Sequence, residues 1–448
     1  MPLILGTNSI KDTGFDVANS LRFNSGSNQF FEKVMGTPTS TKIGTFSCWV
    51  KLGNITTEQT MLGAYADSNN RHHIEFQADH NIEIFGKASG STNMELITNA
   101  YYRDPSAWQN IVVAYDTSQG TASNRVKLYV NGTQVTSFAT ETYPSQDTVL
   151  QFNTDGSTHT VGRNKGGNYA DGYMCEVVFI DGQQLTPTSF GEFDSDTNIW
   201  KPIDVSSLTG GNIGFYLDFE DGSNLGNDVF GGTDFDETNI TSTNQSTDTC
   251  TLNMATLNSL DKNLSNVALS EGNLKMTTSA TNVGGRATIG VSSGKWFWEV
   301  KIEDKGSNVA IIGIAQPTNW DLNYVGSSST SYGYSSGAEK YNNTSSSSYG
   351  ASWTTNDIIG VALNMDDGEI AFYKNGSSQG TAYTGIPTTD FMLPAFSGQS
   401  GTDFLANFGS PPYSESGGNS DGNGYGNFSM TVPSGYFCIN TKNLAEYG

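Results

Sequence analysis

Apolar and polar positions alternate with a period of two along most of this chain. Phe46-Ser47-Cys48-Trp49-Val50-Lys51-Leu52 puts Phe46, Cys48, Val50 and Leu52 on one face. Lys295-Trp296-Phe297-Trp298-Glu299-Val300-Lys301-Ile302 does the same with Trp296, Trp298, Val300 and Ile302. Shorter strands are predicted at 21–23, 61–65, 73–77, 81–85, 108–115, 126–130, 174–180 and 214–219, with polar turns between them. A second group follows at 309–315, 357–364, 369–373, 393–396 and 404–408. Two strands run straight into Asn-Gly, at Leu128-Tyr129-Val130-Asn131-Gly132 and Phe372-Tyr373-Lys374-Asn375-Gly376. Asn-Gly tolerates the positive φ angles of a type I′ turn, so each is a hairpin signal. Thr186-Pro187 opens one predicted helical turn over 186–193, with Thr186 as cap and Pro187 in the first position.

The pattern predicts an all-β chain of two tandem antiparallel β-sandwiches. Residues 1–20 read as an arm or an edge strand. Residues 21–230 form the first sandwich, 231–269 a polar connector, 270–410 the second sandwich, and 411–448 a Gly-, Ser- and Asn-rich tail. The apolar stretch 432–440 within the tail suits docking on one of the sandwiches.

Composition agrees with short strands and many turns: 51 Gly, 11% aromatic and only 15% charged residues among 448. The formal charge of -23 disfavours nucleic acid and anionic lipid as partners. Cys48, Cys175, Cys250 and Cys438 have no close spacing, so no zinc ribbon or redox pair is visible. Cys48 and Cys175 fall in apolar strands and read as buried free thiols of a reducing cytoplasm. Met1–Gly6 lacks a basic n-region, and no apolar run has the length of a membrane span. Synthesis in a cytoplasm without a leader, and no membrane insertion, are therefore expected.

Four pieces carry a resemblance to the laminin-G-like, concanavalin-type jelly roll. They are 46–52, 108–115, the 128–132 hairpin and Gly172-Tyr173-Met174-Cys175-Glu176-Val177, which together span about 20–190. A sharper set resembles the SPRY domain in its characteristic order. It comprises Gly294-Lys295-Trp296-Phe297-Trp298-Glu299, Ile312-Gly313-Ile314-Ala315, Asp357-Ile358-Ile359-Gly360-Val361, the 372–376 hairpin and Leu393-Pro394-Ala395-Phe396. The SPRY resemblance implies a two-sheet sandwich that binds partners through loops at one end.

The chemistry the sequence offers is sparse. Glucan hydrolases of concanavalin type need paired carboxylates, which a strand supplies as Glu-x-Asp-x-x-Glu. Glu75, Asp79 and Glu83 are the nearest set, with a different spacing and a turn between them. No Gly-x-Ser-x-Gly elbow and no P-loop occurs, so no enzyme is expected. His72, His73 and His80 fall on neighbouring predicted strands; imidazoles so placed suit a transition metal, but no spacing specifies one. The laminin-G resemblance implies Ca²⁺ at the sandwich rim, with Asp67, Asp116 and Asp171 as loop oxygen ligands. Solvated turn-forming acids explain the same residues without an ion. The segment 326–349 is dense in Ser, Tyr, Gly and Asn, a mix that recognition loops favour. Trp320, Tyr324, Tyr332, Tyr334, Tyr341 and Tyr349 are the candidate ligand-binding residues there.

The chain as a whole also resembles structural proteins of marine tailed bacteriophages. The carriers are Met1-Pro2-Leu3-Ile4-Leu5-Gly6-Thr7-Asn8, Phe179-Ile180-Asp181-Gly182-Gln183-Gln184-Leu185-Thr186-Pro187 and Ile213-Gly214-Phe215-Tyr216-Leu217-Asp218-Phe219. Asn253-Met254-Ala255-Thr256-Leu257-Asn258 and Asn440-Thr441-Lys442-Asn443-Leu444 complete the set. That resemblance implies a non-enzymatic virion protein: a tail fibre or adhesin, or a capsid-surface fibre. It would be a homo-oligomer that contacts other virion proteins and a host-surface glycan or protein. A non-viral carbohydrate-binding protein is the alternative.

Overall fold

In the computed structural model, Ile4 and residues 9–448 are described. The chain divides into two compact units. One comprises 13–104 and 108–251; the other comprises 252–448 with Ile4, 9–12 and 105–107. Each unit is an antiparallel β-sandwich, as the period of two predicts.

The first unit packs two eight-stranded sheets. At the centre of one, Ile43–Leu52 lies between Gln109–Asp116 and Gly172–Asp181. In the other, Asn70–Phe76 lies between Gln59–Asp67 and Ile82–Ala88. Phe46, Cys48, Val50 and Leu52 all enter the core between the sheets. Trp49 points to the opposite face and packs with Trp108, Tyr173 and Trp200. Covering both faces is what keeps this strand buried along nearly its whole length. Gly172–Asp181 carries a bulge after Cys175, where Glu176 adopts φ 51.

The second unit packs a seven-stranded sheet on an eight-stranded one. Trp296, Trp298, Val300 and Ile302 of Lys295–Asp304 fill its core. Phe297 faces outward, where Phe428, Met430 and Cys438 of the tail cover it. Phe437–Cys438 runs parallel to Trp296–Phe297 and leads into a terminal helix, Thr441–Tyr447. Asn440 caps that helix by accepting from the Asn443 amide at 2.8 Å. The tail is therefore part of the second sandwich.

Both Asn-Gly turns have the expected geometry, with φ 47 and 75 at Asn131-Gly132 and 48 and 81 at Asn375-Gly376. Pro187–Ser189 is a single 3-10 turn, with Thr186 at its N-cap position. Two regions differ from the sequence expectation. The polar stretch 231–269 contains Asp236–Thr238 and Gln245–Ser246, which join the two sheets of the first unit, and Leu257–Lys262 and Val267–Ser270, which join the second. Edge strands need only one apolar face or none, so they read as loop in the pattern. Of the expected arm 1–20, residues 1–3 and 5–8 lie outside the described residues. Ile4 is buried in the second core, bridged in parallel to Ile289, while Val17 and Ser20 belong to the first unit. Burial of an isoleucine is favourable wherever an apolar seat is offered, and here the second sandwich provides it.

Candidate functional site

The six candidate aromatics are sorted by strand geometry onto two faces. Ser331–Ser335 and Glu339–Asn342 pair antiparallel, with Gly333 opposite Tyr341 and Tyr334 opposite Lys340. Alternation turns Tyr332 and Tyr334 toward the second core, where Tyr334 is fully buried against Tyr349, Trp353 and Phe372. The Tyr334 hydroxyl donates to the Ala351 carbonyl, and Tyr349 donates to that of Gly380. Tyr332 packs edge-on against Tyr383. These three rings pack within the second unit, with Tyr334 buried and Tyr332 and Tyr349 half-buried.

Trp320, Tyr324 and Tyr341 gather on the outer face with Ile311, Val325 and Ala395. Trp320 is buried beneath Arg286, with its indole N–H donating to the Tyr324 carbonyl at 3.2 Å, so it is also a supporting residue. Tyr324 and Tyr341 meet edge to face, 6.1 Å between centroids. Together with Val309, Ile311, Asn282, Ser397 and Gln399 they line an open cleft of about 210 Å³. The Tyr341 hydroxyl donates to Glu339 at 2.7 Å, and Gln399 donates to Asn282 at 2.9 Å across the cleft lining. Val309 stays 37% exposed. Two aromatic edges, one exposed valine and convergent amide groups form a surface that can hold an amphipathic group of modest size.

The three candidate calcium ligands do not converge. Asp67 closes the turn between Gln59–Asp67 and Asn70–Phe76, accepting from the Asn69 and Asn70 amides at 2.7 and 3.0 Å. The Asn70 side chain, first among several donors, holds its carboxyl below the usual range. Asp116 accepts from Ser118 and Gln119 at 2.6 Å each. Asp171 accepts from the Ser25 hydroxyl at 2.7 Å. Asp67 and Asp116 organise their own turns, Asp171 ties down the distant segments at Ser25 and Asn54, and among the described residues none of the three lies in a group of three ligand-bearing side chains.

Among the described residues, such a group forms elsewhere, from His73, Glu75 and Glu83. The antiparallel register pairs Glu75 with Glu83 and His73 with Phe85. Ile74, Phe76, Ile82 and Ile84 point into the core, so the odd-numbered residues share the other face. His73 Nε2 lies 3.5 Å from Glu75 Oε1 and 3.4 Å from Glu83 Oε2. Thr60, Asn164 and Asn168 donate to Glu75 Oε2 at 2.9, 2.7 and 3.3 Å. Burial pushes the Glu75 carboxyl above the usual range; His73 opposes that and Glu83 adds to it. Of the other two candidate histidines, His72 turns toward Phe152, and His80 sits in the intervening turn at φ 76. Sequence spacing argued against Glu75 and Glu83 because a turn separates them, yet that turn is what brings them face to face. The legible signal was their equal distance from the turn centre near Asp79. Both carboxylates are buried, which leaves a polysaccharide no access to them.

Among the described residues no helix is long and apolar enough to cross a membrane. Cys175 and Cys250, far apart in sequence, bring their sulfurs to 3.7 Å, and all four cysteines are free thiols.

Known proteins resemble the two units separately. Residues 24–189 match the Concanavalin A-like lectin/glucanases superfamily, and residues 295–411 match the SPRY domain. The E3 ubiquitin-protein ligase RKP of Arabidopsis thaliana is 34% identical over 133 residues, 29% of this chain and 10% of that protein. Ran-binding protein 9 of Xenopus laevis is 33% identical over 161 residues, 33% of this chain and 29% of that protein. The chain thus spans less than a third of either relative's length. The SPRY domain of human HERC1 aligns with 34% of this chain and 96% of its own, at 22% identity and a TM-score of 0.29. The chain carries a concanavalin-like sandwich followed by a SPRY domain.

Proposed function

We propose that this is a non-enzymatic binding protein that takes its ligand in the Tyr324–Tyr341 cleft of the SPRY domain. The observation that carries this reading is the cleft itself, an open apolar and amide-lined surface. The SPRY match and the burial of Glu75 and Glu83 support recognition over catalysis. The ligand is a host-surface glycan or protein, and the protein is a tail fibre, adhesin or capsid-surface fibre of a bacteriophage virion. That finer assignment rests on the sequence resemblance over 179–187, 213–219, 253–258 and 440–444. The curated relatives described above are eukaryotic, so an intracellular adaptor that binds protein loops is the competing reading.

Exchange of both Tyr324 and Tyr341 for alanine tests the cleft. Removing aromatic anchors costs on the order of 2 kcal/mol or more of binding, and the melting temperature should move little because both rings are partly exposed. Adsorption to host cells, or capture of a glycan or protein ligand, should fall at least tenfold. Undiminished binding by the folded double variant removes the cleft from consideration. Gold-labelled antibody on purified virions tests the location separately: unlabelled particles would leave a binding protein that is not a virion component.

A further inference from the structure

We propose that His73, Glu75 and Glu83 of the concanavalin-like sandwich form a binding site for one divalent transition-metal ion. The site is distinct from the cleft, which belongs to the other unit.

Distances favour coordination over simple hydrogen bonding. His73 Nε2 stands 3.4 and 3.5 Å from the two carboxylate oxygens. A strong N–H···O bond spans roughly 2.7–3.2 Å, and a neutral imidazole nitrogen has one proton to give, not two. A tetrahedral site with bonds of about 2.0–2.1 Å has edges of about 3.3–3.4 Å between ligand atoms. All three ligand atoms lie within 4.8 Å of one another. One ion placed among them would satisfy both carboxylates and the imidazole together.

The surroundings suit such an ion. Two glutamates directly opposite on adjacent strands repel one another, and here both are buried. A dication among the three ligand atoms would offset the charge that two opposed carboxylates bring into this buried face. Thr60 and Asn164 hold one oxygen of Glu75, Asn168 donates to both, and the other oxygen faces His73. Metal-binding carboxylates are usually held this way. Phe85 stacks on the His73 ring at 4.9 Å and 17°, which sets the plane of the imidazole. One imidazole with two carboxylates matches zinc and its neighbours; calcium prefers six to eight oxygens. Three protein ligands leave a fourth position free. The turn at Lys165 and Gly166 is exposed and is flanked by Asn164 and Asn168, which bond to Glu75.

Full-length protein stripped with a chelator and titrated with zinc chloride alone at pH 7.5 tests the site. Calorimetry should show one ion bound per chain. Glu83→Gln should weaken binding at least tenfold, and His80→Asn, in the turn, should leave it within twofold. X-ray absorption at the zinc edge of the unaltered protein should show imidazole nitrogen and oxygen neighbours at about 2.0–2.1 Å. That measurement holds whether or not Glu83→Gln folds. No uptake would overturn the proposal and leave His73 as a hydrogen-bonding partner of the two carboxyl groups. Uptake unaltered in folded Glu83→Gln, or a spectrum with sulfur ligands, would overturn it as well.

Discussion

At the scale of single residues, the buried ionisable groups dominate the chemistry of this protein. Burial pushes the Glu176 carboxyl up to about 8; the Tyr216 hydroxyl, donating at 2.8 Å, holds it back, while Asp218, Glu220 and Asp204 add to the rise. A folded carboxyl that keeps its proton to about pH 8, against an ordinary value of 4.5, stabilises the fold at low pH. That contribution is lost as pH rises from 4.5 through 8, by a few kcal/mol in all. His72 and His159 act with the opposite sign, because burial lowers both to about 3. Their neutral folded forms cost stability as pH falls below 6.5. Between pH 6.5 and 8 the Glu176 effect therefore stands clear of the histidines. Denaturant titration of Glu176→Gln should show its advantage over the parent growing across that interval. An advantage that is flat with pH would mean Glu176 ionises normally. Sequence showed that Glu176 lies in an apolar strand. It did not show the bulge, which passes the core positions to Val177 and Phe179 and sets Glu176 beside Tyr216, because a nearly continuous apolar run hides the change of phase.

At the scale of elements, the turns were legible and the sorting of side chains between faces was only half so. The Asn-Gly hairpins followed from backbone conformation alone, and they allow a paired test. Gly376 has φ 81, and a Cβ added there would meet nothing within 4 Å. Gly376→Ala should cost about 1–2 kcal/mol, the strain of a left-handed residue and no more. Gly132 has φ 75, and its Cβ would overlap the Trp200 ring. Gly132→Ala should therefore cost clearly more, since Trp200 is anchored by its N–H bond to Asn110 at 3.1 Å. Equal losses in chemical denaturation would show that the indole yields freely. The aromatic cluster shows where legibility stopped. Tyr332, Tyr334 and Tyr341 were visible as a Tyr-rich segment, but which faced inward depended on the register of Gly333 against Tyr341. Register between neighbouring strands is set by turn length and packing, and the His73–Glu75–Glu83 group was hidden for the same reason.

At the scale of the whole molecule, the charge of -23 is carried by two sandwiches whose chain segments are interleaved. The polar stretch that looked like a linker supplies strands to both units, so cutting it does not free either one. Nicking at the exposed residues 231–234 should give two bands on a denaturing gel but one species in native gel filtration. Two separable folded fragments would contradict the pairing of Asp236–Thr238 with Phe30–Val34. The parallel bridge from Ile4 to Ile289 carries a further consequence, for the timing of synthesis. Ile4 is made before the first unit, and its seat beside Ile289 is made after it. At roughly 5–20 residues per second, the roughly 300 residues between them take on the order of 15–60 s to appear. The concanavalin-like unit can finish folding in that interval, while Ile4 waits for the strands of the second unit that seat it.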